Sequence, residues 1–160
     1  MKFNKDQKGF SLVELLAVVG IIGILLSISI PRLLSSRRAA NEGSAQSSMR
    51  TLHSSEAVYQ STKGDGKFGN LAALKGVDLV DSVLGNGSKS GYTFTCTPDD
   101  TATPPNFYCA AHPSNTGALT RTGHRSFTIS DTGVLRSKVS DTDPTDYADA
   151  TSAAWAPMGQ

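Results

Sequence analysis

Three groups of residues in this 160-residue chain have types and spacings that can do chemistry. Glu14 is a carboxylate set four residues after Phe10, inside the run Phe10–Ile30, which is otherwise almost wholly apolar. Among hydrocarbon tails an ionised carboxylate costs roughly 3 kcal/mol or more, so the position calls for a partner. Cys96 and Cys109, the two cysteines, flank a Pro-containing stretch. Outside the cytoplasm an even count favours a disulfide, stabilising by about 3 kcal/mol for a loop of this size. Zinc is the rival, because Cys109-x-x-His112 with Cys96 offers three ligands, though without the paired Cys-x-x-Cys spacing of structural sites. Asp141, Asp143, Asp146 and Asp149 are acidic positions that can gather Ca²⁺, a hard cation that wants clustered oxygens. They lack the glycine and terminal Glu of an EF-hand loop, so a solvated acidic tail is the simpler expectation. His53 and His124 have no carboxylate or cysteine at telling spacing and read as surface residues. No Gly-x-Ser-x-Gly or His-Glu-x-x-His is present, so no catalytic set and no cofactor is expected.

The elements that must position these groups divide the chain unevenly. Lys2, Lys5 and Lys8 stand against Asp6 ahead of the apolar run, Arg32, Arg37, Arg38 and Arg50 follow it, and the stretch from Asp131 to Asp149 is acidic. A net charge of +1 gives no long-range field, so neither nucleic acid nor an acidic surface is implied as a partner. Phe10–Ile30 spans about 31 Å as a helix at ~1.5 Å per residue, one hydrocarbon thickness. That exceeds the core of a cleaved secretory signal, and no Ala-x-Ala site follows it. Two readings remain from the pattern alone: a plain signal anchor, or processing between Gly9 and Phe10 that keeps the apolar segment.

The order Gly9-Phe10-Ser11-Leu12-Val13-Glu14-Leu15-Leu16 after a short basic leader, then an unbroken apolar helix and Pro31, resembles the class III signal of type IV pilins and their relatives. Those relatives include type II secretion pseudopilins and competence pilins. The resemblance is strong over about the first 50 residues and holds only in outline beyond them. It implies cleavage after Gly9 by a prepilin peptidase, N-methylation of Phe10, and a pilin fold: α+β, a long N-terminal helix packed on a small antiparallel sheet. It implies that Glu14 meets a cationic Phe10 amine, its own or a neighbour's, and so sets the register of assembly. Its implied partners are identical or related pilins, the peptidase, a platform protein and an ATPase. The implied location is the inner membrane with the head outside the cytoplasm, then a surface filament. Within the family, a secretion pseudopilin or a minor pilin binding DNA or a surface is the alternative to a pilus subunit, though the head offers no basic, aromatic-rich face for DNA.

On this reading residues 1–9 are the leader, 10–31 the membrane or filament-core helix, 32–62 its amphipathic half, 63–91 an αβ loop, and 92–160 the sheet head with its acidic tail. Gly20, Gly23 and Pro31 soften the helix, since glycine costs about 1 and proline about 3 kcal/mol there; close helix packing and a gentle kink explain them equally. Ala45, Met49, Leu52 and Tyr59 form a core-facing stripe at spacings of four, three and seven. Lys63-Gly64-Asp65-Gly66 ends the helix after Ser61. Phe68–Leu84 reads as loop with one or two helical turns, and Gly85–Gly91 as flexible, lacking the spacing of a phosphate loop. Strands are expected at Tyr92–Cys96, Phe107–Ala111, Ser126–Ser130 and Val134–Arg136, forming a sheet with one face on the helix.

Overall fold

A computed structural model of the chain describes residues 9–158; the leader lysines and Asp6 lie outside the described residues. The chain forms two compact units, one ending at Ser36 and the other starting at Arg37. One helix, α1 (Leu12–Thr62), supplies the first unit and opens the second.

In the first unit the residues of α1 are apolar all round, and Leu15, Leu16, Val18, Ile21, Ile22, Ile24 and Leu25 are all exposed. The segment is long and apolar enough to cross a bilayer by length and composition. Pro31 lies inside the helix without ending it. It has no N–H for the Ser27 carbonyl.

The second unit is an α+β head. Its sheet is a six-stranded antiparallel meander in chain order: β1 (Ser88–Lys89), β2 (Tyr92–Asp99), β3 (Asn106–Pro113), β4 (Ser126–Ser130), β5 (Arg136–Lys138) and β6 (Ala156–Pro157). Ala45, Met49 and Leu52 of α1 are fully buried against Tyr92, Phe94, Phe107, Phe127 and Ile129, with Tyr59 half-buried at the margin. The helix stops where Gly64 donates to the Tyr59 carbonyl at 2.7 Å, and Asp65 and Gly66 turn left-handed. Short helices α2 (Leu71–Gly76) and α3 (Ser82–Gly85) follow, each N-capped by a side chain, Asn70 and Asp81 respectively.

Three expectations are corrected. Gly85–Gly91 is structured: Gly85 ends α3, and Ser88–Lys89 pairs with β2 through a turn at Ser90 and Gly91, whose positive φ values match the twist of the strands they join. Gly91 is also fixed sterically, because a Cβ there would sit 2.9 Å from Thr122. The short strand after Gly133 is Arg136–Lys138 rather than Val134–Arg136. Leu135 is instead buried, its carbonyl accepting from the Met158 N–H at 2.8 Å. The acidic tail keeps Asp141 and Asp146 exposed but is folded: it forms α4 (Tyr147–Thr151), N-capped by Asp146, and then β6. Trp155 in this stretch is the largest fully buried side chain of those described. Because α4 lies against β3 and β4, the sheet is covered on more than its helix face, and every residue of β4 is buried.

Candidate functional site

Gly9 and Phe10 precede α1, and Phe10 is exposed. Ser11 is the helix cap: its Oγ accepts from the Val13 N–H at 3.4 Å, and its own N–H donates to Glu14 Oε2 at 2.9 Å. This is the reciprocal pattern of a capping box, with a carboxylate placed favourably at the positive end of the helix dipole. Glu14 thus has a partner within its own chain that spacing arguments about the Phe10 amine overlooked. The signal was present in Ser11-x-x-Glu14. Gly20 and Gly23 meet no steric need inside the chain, since a Cβ at either would touch nothing within 4 Å.

In the head, Cys96 and Cys109 face each other directly across β2 and β3 and are joined as a disulfide. With both thiols consumed, the zinc alternative fails. His112 stands three residues beyond Cys109 on β3, and on a strand that offset points a side chain to the opposite face. His112 Nδ1 lies 2.8 Å from Asp143, which also accepts from Thr95. Asp141 pairs with Arg121, and Asp146 accepts from the Asp149 N–H at the start of α4. Asp141, Asp143 and Asp146, three of the four candidate Ca²⁺ ligands, therefore serve separate protein partners. Asp149 in turn accepts from the Thr145 N–H.

His53 lies beside the Phe107 ring, 6.1 Å between centroids. His124 belongs to the stitching of α1 to the segment before β4. Arg38 Nη1 is 3.3 Å from its Nε2, while Arg38 also donates to the Ala118 and Arg121 carbonyls. Glu42 accepts from the His124 N–H at 2.8 Å, and Asn41 donates to the Thr122 carbonyl. The arginine after the apolar run thus positions the head's own loop.

One residue of consequence was missed. Glu56 is fully buried on the core stripe of α1; its Oε2 accepts from the Gly69 N–H at 2.9 Å, and its Oε1 has no partner among the described residues. Burial pushes its carboxyl from 4.5 up to about 7, with the Gly69 N–H opposing. A raised folded-state value means the neutral form fits the head better than it fits the unfolded chain. That stability is complete below about pH 4.5 and is lost as pH rises through about 7. At about 1.4 kcal/mol per unit the loss is about 3 kcal/mol. Asp81 and Asp99 are held below the ordinary carboxylate range, chiefly by hydrogen bonds from Lys89 and Thr101, so they act outside this window. Urea midpoints taken between pH 4.5 and 7.5 should fall for the native sequence and stay level for Glu56→Gln. A Glu56→Gln curve as steep as the native one would assign the pH dependence elsewhere.

The description "prokaryotic N-terminal methylation motif" fits residues 4–30. The major component of the type IV narrow pilus of Thermus thermophilus is 30% identical over 118 residues, covering 72% of this chain and 92% of that protein. The type IV major pilin protein of Myxococcus xanthus is 34% identical across 39% of this chain and 28% of its own length. The type II secretion system core protein G of Escherichia coli is 28% identical across 58% of this chain and 65% of its own. No solved structure gives a significant match. A methylation motif leading into an exposed apolar helix, and a relative matched over nearly its whole length, lead to one conclusion: the chain belongs to the type IV pilin family.

Proposed function

We propose that this chain is a structural subunit of a type IV pilus, cleaved after Gly9, N-methylated at Phe10, and polymerised through the apolar part of α1. The observation that carries the reading is a helix segment whose large apolar residues, Leu12 through Leu33, are exposed on every side. Such a surface needs an apolar surround. A bilayer supplies it to the waiting subunit, and identical helices supply it in the filament. Burying one Leu, Ile or Val fully contributes about 1.5–3 kcal/mol, so a bundle of these segments is cohesive.

The assignment of parts follows. Residues 1–9 are the leader, 10–31 the anchor and later the filament core, 32–62 the back of the head, and 63–160 the outer surface. The head stands outside the cytoplasm, consistent with its disulfide. A prepilin peptidase, a platform protein and an assembly ATPase handle the subunit. Glu14 pairs with the amine of a cleaved Phe10 in a neighbour and sets the axial stagger. Gly20, Gly23 and Pro31 let the helix extend locally as it is drawn into the filament. The chain is read as a building block and not as an enzyme.

A short secretion filament is the second reading, favoured by the likeness to core protein G. Calcium-dependent stability of the head would support it. The engagement of Asp141, Asp143 and Asp146 by other groups supports the pilus instead.

The test is to shear surface filaments from cells and sequence the main band. N-methylphenylalanine at Phe10 is the expected first residue. An intact Met1, or filaments lacking this chain, would overturn the proposal.

A further inference from the structure

The two half-cystines of the head are not equally buried. Cys109 is fully buried, whereas Cys96 keeps 8% of its surface exposed. Cys96 lines an open groove of about 450 Å³ together with Leu71, Ala72, Gly87 and Phe94. On the inner side, a carboxylate oxygen of Glu56 and both Sγ atoms lie within 4.8 Å of one another. Glu56 also keeps one oxygen, Oε1, without a hydrogen-bond partner among the described residues. Burial and the Gly69 N–H set the state of this carboxyl, with no charged side chain contributing. A surface entry, a disulfide and a buried proton carrier therefore stand in sequence.

We propose that Cys96–Cys109 is a thiol-exchange site, entered from the groove at Cys96, with Glu56 as the proton donor and acceptor of Cys109. The partner is a thiol of a dithiol–disulfide exchange protein. Its thiolate attacks Cys96 Sγ, the Cys96–Cys109 bond breaks, and a mixed disulfide forms at Cys96. The electron pair leaves on Cys109 Sγ, which takes the proton of the neutral Glu56 carboxyl. That transfer is downhill, because an ordinary thiol titrates near 8.5 and the Glu56 carboxyl near 7. A second thiolate of the partner then attacks its own sulfur in the mixed disulfide, releasing Cys96 as a thiolate that takes its proton from water in the groove and leaving the partner oxidised. Closure of the bond runs the same steps backwards, with the Glu56 carboxylate taking the Cys109 proton as that sulfur attacks. Leaving-group stabilisation of this kind speeds exchange, and a positioned acid or base commonly contributes 10²-fold or more.

The test uses the full oxidised chain in detergent, with dithiothreitol as the probe and free thiols as the readout between pH 5.5 and 8.5. Rates are divided by the thiolate concentration of the probe. The native protein should lose about tenfold across pH 7, and Glu56→Gln should be slow and level throughout. Ala72→Trp, which fills the groove, should slow the reaction at every pH and keep the inflection. Glutathione trapped as a mixed disulfide should be found on Cys96. A Glu56→Gln profile with the native inflection, an unslowed Ala72→Trp, or adduct on Cys109 would each overturn the proposal. So would a rate independent of dithiothreitol concentration, which marks reduction through global unfolding. If Glu56→Gln does not fold, the native inflection and the Ala72→Trp rate decide the question.

Discussion

Glu14→Gln is expected to stop filament growth as completely as Glu14→Ala, with the precursor still inserted in the membrane in both. The two substitutions differ in one respect. Glutamine can serve at the third position of a capping box as glutamate does, so it can keep the bond from the Ser11 N–H, whereas alanine cannot. Glutamine has no charge to offer a cationic amine one turn away. Inside a helix bundle, an amine left without its carboxylate is a buried unpaired charge, which costs about 3–5 kcal/mol. Every subunit added to the filament would bear that cost, and at 1.4 kcal/mol per factor of ten in an equilibrium constant the yield should drop by at least about a hundredfold. Ser11→Ala supplies the complementary control, because it weakens the cap by about 1 kcal/mol and leaves the charge in place; filaments should still form. Counting sheared filaments per cell, with membrane fractions as the loading check, reads all three. Normal filaments from Glu14→Gln would reduce Glu14 to a helix cap and remove the register argument.

The parts of this chain that could be read from sequence are those governed by one local rule. The apolar run and its carboxylate, the stripe Ala45–Met49–Leu52, the three main strands and the cysteine pair each follow from periodicity or residue chemistry. The misses arise where a distant surface decides. Glu56 was hidden by its charge, although the seven-residue step from Leu52 to Tyr59 leaves a core-facing place at position 56. Periodicity alone places it inside, whereas carboxylates ordinarily stay in solvent. The strand after Gly133 moved by two residues because Leu135 serves the core instead of the ladder. Gly85–Gly91 looked flexible because glycine and serine are common in mobile loops, yet the same residues are those that a tight hairpin with positive φ requires. At Glu14, a sequence-level capping box was legible and was passed over for the longer-range pairing.

The acidic tail is the largest miss, and it yields the largest stability effect expected in the head. Four aspartates between Asp141 and Asp149 are the mark of a solvated segment, but each carboxylate there has a specific partner, and the apolar residues between and after them decide the fold. Ala150 and Trp155 are buried, and the Trp155 carbonyl accepts from Arg136 while Lys138 lies over its ring at 5.5 Å. Trp155→Ala should therefore cost about 3–5 kcal/mol, the range for deleting a large buried aromatic side chain. In a domain with the usual 5–15 kcal/mol of stability, that leaves the head marginal. Trp155→Phe separates volume from polarity. The indole Nε1 has no hydrogen-bond partner among the described residues, and a buried orphan donor itself costs about 1–3 kcal/mol. Phenylalanine keeps much of the apolar bulk and removes that donor, so it should lose well under half of the alanine value. Urea midpoints at unchanged m give both numbers directly. An alanine variant within about 1 kcal/mol of the native protein would mean that α4 and β6 lie on the sheet without being part of its core. The five buried residues of β4 would then owe their burial to the rest of the head.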